Sequence, residues 1–76
     1  MREVKFKMER QGLVNINDEV TIIERPGTIN YSYIIEPAVA MSGCYPISER
    51  IKSRTGIVKD IQNTDRGFYV IVEFDE

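Results

Sequence analysis

The amino-acid sequence predicts an all-β chain built as a small barrel, and three observations carry that expectation. Among 32 hydrophobic residues there are 11 Ile and 7 Val, against 1 Leu and 2 Ala. Stiff β-branched side chains suit a pleated sheet, and the best helix formers are nearly missing, which excludes a helical bundle. Apolar and polar residues alternate with period two near both ends of the chain, the pattern of half-buried strands. Finally, 76 residues make one small domain, 1–76, of a size where a single core supplies only about 3–5 kcal/mol. The usual staples are missing, since Cys44 is the one cysteine and there is no histidine for a Cys/His metal site.

The elements follow in order. In residues 3–8, Val4, Phe6 and Met8 alternate with Lys5 and Lys7, which makes residues 1–12 a candidate extra strand. Asn17-Asp18 is a turn pair, and residues 19–24 read as a strand with Val20 and Ile22 inward. Pro26-Gly27 suits a type II turn, Pro fixing φ and Gly accepting a positive φ. Residues 28–48 are the least regular stretch, with Tyr31, Tyr33 and Tyr45 and the single charge of Glu36 until Ser48. Residues 25–50 are therefore expected as a long loop or insertion. Pro37 has the right chemistry to open one helical turn over 37–42, closed by Gly43. Loops beyond about 12–15 residues are unusual in so small a domain, and this one is apolar enough to pack over one end of the barrel.

The clearest signal is C-terminal. Gly56, Ile57, Val58 and Ile61 define one strand, and Val70, Val72 and Phe74 alternate with Tyr69, Ile71 and Glu73 in the next. Residues 62–67 form a polar connection ending in Gly67, so the pair reads as an antiparallel hairpin. The expected core is Val20, Ile22, Ile57, Val58, Ile61, Val70, Val72 and Phe74.

Three segments carry a family resemblance: Asn17-Asp18-Glu19-Val20, then Thr55-Gly56-Ile57-Val58-Lys59-Asp60-Ile61, then Tyr69-Val70-Ile71-Val72-Glu73-Phe74-Asp75. Together they resemble the small SH3-like barrels, in particular the KOW type. The C-terminal half is also similar to the SH3-like domain of nitrile hydratase β subunits and to small uncharacterised bacterial and phage proteins. The resemblance covers residues 14–24 and 50–75. It implies a partly open SH3-like barrel of about five antiparallel strands with a long first loop. Asn17 stands where the family usually has glycine, and 35 residues separate Val20 from Gly56, where a KOW motif needs a short turn. The motif encodes barrel geometry and not chemistry, so it does not carry a ribosomal or RNA role with it.

Function classes narrow by exclusion. Ten basic and twelve acidic residues give a net charge of −2, which disfavours a general nucleic-acid binder. Without histidine, the commonest general base and metal ligand are both missing. No glycine-rich phosphate loop occurs, and Asp60, Asp65, Glu73, Asp75 and Glu76 do not follow calcium-loop spacing. Neither a catalytic residue, a cofactor nor a metal site is expected. Cys44 reads as small filler, and the sequon Asn30-Tyr31-Ser32 as chance. No apolar run reaches the roughly 18 residues of a membrane span, and the start lacks a signal-peptide core, so a cytoplasmic protein with no membrane partner is expected.

Two surfaces remain. Tyr31, Tyr33, Met41 and Tyr45 would make an apolar, hydroxyl-edged surface for a partner protein or for a second copy of the chain. The bland alternative is that they lid the barrel. Arg50, Lys52 and Arg54 alternate, with Lys59 following and Tyr69 as a stacking surface. That set would suit single-stranded nucleic acid, and its bland alternative is a solvated strand edge whose cations discourage aggregation. The expected function is a non-catalytic binding or accessory module working through the tyrosine-rich segment, with nucleic acid on the basic segment as the second reading.

Overall fold

The computed structural model describes residues 1–10, 12, 14–36 and 40–76. Six strands form within them: β1 (Arg2–Met8), β2 (Glu19–Pro26), β3 (Tyr31–Glu36), β4 (Ala40–Ser42), β5 (Thr55–Thr64) and β6 (Gly67–Phe74), with one 3-10 turn at Ile47–Glu49. All pairings are antiparallel, and the strands close in the order β1-β4-β3-β2-β5-β6 with β6 returning to β1. The chain is thus an all-β small barrel.

Closure is where the barrel departs from a partly open one of about five strands. The N-terminal segment, read from its alternation as an optional strand, pairs along its length with β6, from Arg2↔Phe74 to Met8↔Phe68. Its other edge takes β4 through Phe6↔Ser42 and Lys7↔Met41. One strand therefore joins the two ends of the sheet and closes the edges of β4 and β6 that a sheet otherwise has to protect.

Residues 25–50 are not one long loop, because they contain β3 and β4. Tyr31-Ser32-Tyr33-Ile34-Ile35-Glu36 pairs residue for residue with β2, from Thr21↔Glu36 to Pro26↔Tyr31. The helical turn expected over 37–42 is corrected at its end, where Ala40, Met41 and Ser42 are the strand β4; Pro37, Ala38 and Val39 lie outside the described residues. Where β4 runs out, the Ser42 hydroxyl accepts the Tyr33 N–H at 2.9 Å in place of a backbone rung.

Both turns differ in detail from their expected forms. Gly27 does not take a positive φ; a Cβ there would lie 2.8 Å from the Asn30 side-chain Oδ1 and 3.1 Å from the Asn30 carbonyl, so the turn is tight at this position. The polar connection of residues 62–67 is mostly strand, since Thr64 pairs with Gly67. Gly67 does take the left-handed backbone, at φ 128°.

The core follows the alternation. Val4, Phe6 and Met8 of β1 meet Val70, Val72 and Phe74 of β6, and Val14, Val20, Ile22, Tyr33, Ile35, Ala40, Ile51 and Val58 share the interior with them. Phe6 and Phe74 pack tilted, with ring centroids 6.3 Å apart, within the favoured range for aromatic pairs. Six of the eight expected core residues are buried, whereas Ile57 and Ile61 are half-buried. Gly56 and Val58 take the inward positions of β5, which turns Ile57 outward opposite Glu73, and the register shifts between Val58 and Asp60.

Gly56 permits this arrangement by having no side chain. A Cβ there would stand 2.6 Å from Val72 Cγ1 and 2.8 Å from the Glu73 carbonyl, closer than any real contact. Forcing a methyl into a packed interior costs about 1–3 kcal/mol. Gly56→Ala is therefore expected to lower the thermal midpoint by roughly 4–8 °C for each kcal/mol lost. An unchanged midpoint would contradict the close approach of β5 to β6.

Candidate functional site

Between β4 and β5 the chain crosses one mouth of the barrel as a strap, residues 45–54. It begins at Tyr45, whose backbone exchanges two hydrogen bonds of 2.8 Å with Tyr31. Pro46 then introduces the 3-10 turn at Ile47–Glu49. Further on, Ile51 drops into the core. Because a buried backbone N–H needs an acceptor, the fate of the Ile51 amide matters, and it donates to the Tyr33 hydroxyl at 2.8 Å.

Tyr33 has its body in the core, 1% exposed. Its hydroxyl donates to Glu24 Oε2 at 2.9 Å. The same carboxylate takes Arg50 in a two-pronged grip, Nε to Oε2 at 2.9 Å and Nη2 to Oε1 at 2.7 Å. Strong bidentate geometry of this kind fixes orientation as well as energy. The Arg50 hydrogen bonds hold the Glu24 carboxyl below its ordinary value. Burial, with help from Glu24, pushes the Tyr33 phenol up, which keeps it neutral and able to donate and accept together.

A second clasp sits on the far side of the strap. Arg2 donates to the Glu49 carbonyl at 2.7 Å and to the Arg50 carbonyl at 3.2 Å. Glu76 Oε1 accepts the N–H groups of Lys52 and Ser53, both at 2.9 Å, and its other oxygen lies 3.7 Å from Arg2. Burial pushes the Glu76 carboxyl up, but the hydrogen bonds from Ser53 and Lys52 and the charge of Arg2 outweigh it and leave it lowered.

The strap does not lie flush against β2. The two touch through the Ile22 N–H donated to the Arg54 carbonyl and through the Glu24–Arg50 ion pair, and beside these contacts an open cavity of about 720 Å³ is lined by residues 21–24, Tyr33, Ile47 and residues 50–54. Ile23 and Ile47 are 44% and 68% exposed. Arg50, Lys52 and Arg54 line this groove together with the intervening Ile51 and Ser53. Arg50 is engaged by Glu24. Among the described residues, neither Lys52 nor Arg54 has a carboxylate within ion-pair distance.

The other candidates lie elsewhere. Lys59 pairs with Glu73 at 3.7 Å, and Tyr69 carries the Lys5 ammonium 5.1 Å over its ring; neither lines the groove. Tyr31 lies under the Arg50 guanidinium at 4.6 Å and Tyr45 under that of Arg2 at 5.4 Å. Tyr33 is buried where it lines the groove, and Met41 is exposed on β4. Three of the expected tyrosines sit together: Tyr31 and Tyr45 are bridged through their backbones, and the Tyr33 and Tyr45 rings lie 6.3 Å apart, with Tyr33 buried. Cys44 is exposed and free, not the buried filler expected. Among the described residues no group of His, Cys, Asp or Glu is arranged to hold a metal, and no helix is long and apolar enough to cross a membrane.

Sequence reasoning missed Glu24, Ile23 and Ile47 at this site, and both clasp residues Arg2 and Glu76. Glu24 meets Tyr33 through the β2–β3 register, Glu24↔Tyr33. Recognising Tyr31 to Glu36 as an alternating strand would have exposed that pairing. Comparison with protein-family models, with curated proteins and with solved structures gives no match for this chain.

Two outcomes are expected. Tyr33→Phe strands the Ile51 amide without its acceptor, at a cost of about 1–3 kcal/mol, read as a lower midpoint of urea unfolding; an unaltered midpoint would show that the hydroxyl does not hold the strap. Glu24 and Glu76 titrate below the ordinary 4.5 in the folded state. Their stabilisation is therefore complete above that value and is lost as pH falls through the lowered ones. The thermal midpoint should drop more steeply below pH 4.5 in the native chain than in Glu24→Gln/Glu76→Gln, and parallel curves would refute the clasp.

Proposed function

We propose that this chain is a non-catalytic protein-binding module and that its site is the groove between β2 and the strap. The observation that carries this reading is the meeting of two exposed isoleucines with two cations that have no carboxylate partner, beside a cavity within the roughly 300–1,000 Å³ typical of ligand sites. An apolar centre with a charged rim is how protein interfaces are commonly built. The SH3-like reading of the barrel belongs to this proposal and agrees with a binding role, as does a cytoplasmic setting. The tyrosines enter as supports: Tyr33 anchors the strap, and Tyr31 and Tyr45 hold the arginines that shape it.

Nucleic acid is the weaker reading. Lys52 and Arg54 favour it, but Lys59 and Tyr69 do not join them. Tyr31, Tyr45 and Tyr69 each have a cation over the ring, which occupies a face that a base would stack on. The net charge of −2 also opposes phosphate binding.

Selection of peptides from a random displayed library tests the proposal. The native chain is expected to enrich binders whose affinity falls at least about tenfold, or about 1.4 kcal/mol, in Ile23→Ser/Ile47→Ser. Met41→Ser should bind as the native chain does, and all three should keep the same circular dichroism spectrum. Absence of any enriched peptide, or tight salt-sensitive binding of an oligothymidylate instead, would overturn it.

A further inference from the structure

We infer that the occupant of the groove adds as a β-strand to the open edge of β2, and that it is an extended, acidic segment of a partner protein. The inference rests on the groove being the binding site, and it begins from the hydrogen-bond ladder. On one side β2 is paired with β3 as far as Pro26. On the other it is paired with β5 only at Glu19, Val20 and Thr21. The last rung on that side is the Ile22 N–H donating to the Arg54 carbonyl at 2.8 Å.

Backbone groups of alternate residues in a strand point to opposite edges. Glu24 therefore shares the edge of Ile22 and presents its N–H and C=O toward the groove. No strand pairs there, and among the described residues no loop or side-chain group bonds the Glu24 N–H. The strap that would have supplied the next rungs is drawn away, because the amides of Lys52 and Ser53 are given to Glu76. An unpaired edge flanked by a cavity is the geometry that strand addition uses, with main-chain bonds giving affinity and alternate side chains giving selectivity.

The walls supply the selectivity. Ile23 beside the edge and Ile47 across the rim offer apolar contact for one face of an added strand. Among the described residues Lys52 and Arg54, on the strap side of the groove, have no carboxylate within ion-pair distance, and every second residue of a strand lies about 6.5–7 Å from the last on one face. Acidic side chains at alternate positions would complement that pair. The bland alternative, that these cations only keep edges from aggregating, predicts no selectivity for acidic peptides and gives a contrasting outcome.

The probe is a fluorescein-labelled heptapeptide alternating glutamate and valine, titrated into the full chain by anisotropy with parallel amide NMR. Expected are saturable binding, a shift and slowed exchange of the Glu24 amide, and at least about tenfold weaker binding of the lysine–valine counterpart. Lys52→Glu/Arg54→Glu, both at exposed positions, should reverse that preference. N-methylation of one alternate set of peptide amides should abolish binding and of the other set should spare it. Strand addition fails if both methylated sets bind like the parent or both lose binding alike, and the acidic partner fails if charge reversal changes nothing. The groove survives both failures as long as the library peptides still depend on Ile23 and Ile47. If no peptide of either kind binds, the groove reading falls with it.

Discussion

The geometry of the strap depends on one hydroxyl. Tyr33 is buried to its tip, and a buried phenol must find partners for its polar end. It finds one in the amide of Ile51 and one in the carboxylate of Glu24. Through the first it fixes where the strap enters the core. Through the second it orients the carboxylate that grips Arg50, and Arg50 in turn settles over Tyr31. Removing the donor, the acceptor or the ring would each release a different part of the same assembly.

Magnitudes separate what holds the strap from what aligns it. Burying one isoleucine side chain contributes roughly 1.5–3 kcal/mol, and Ile51 is buried. An ion pair as exposed as Arg50 with Glu24, its side chains 43% and 28% exposed, is screened by solvent and adds little. Anchoring therefore comes from the apolar contact and the satisfied amide. The charges choose among the positions that such an anchor would allow, as does Glu76 by accepting two successive amides.

How much was legible varies with the range of the interaction. β1 and β6 were readable because Val4, Phe6 and Met8, and Val70, Val72 and Phe74, alternate within a single stretch, and period two is a local property. β3 carries the same alternation through Tyr33 and Ile35, but the proline that follows and the tyrosines suggested a lid. The groove takes Ile51 and Ser53 as well as Arg50, Lys52 and Arg54, so alternation did not select its lining, and of the three cations only their presence in one run was legible. Their different fates were not, since Glu24 reaches Arg50 across 26 positions through a strand register that no short window contains. Gly56 was visible as a strand start, while its necessity lies in the approach of Val72 from another strand.

A closed barrel should leave no strand edge, yet closure is uneven. β1 and β6 pair over seven residues on each strand, whereas β2 and β5 pair over three. The thin seam lies beside the strap, and Ile51 explains why. To extend the β5 ladder along β2, the chain preceding Thr55 would have to run beside Ile23 and Glu24 in the plane of the sheet. Burying Ile51 and bonding its amide to Tyr33 instead turns that chain inward across the mouth. The contact that seals one end of the barrel thereby turns the strap out of the β2 ladder, and Glu76, by taking the Lys52 and Ser53 amides, keeps those rungs from forming.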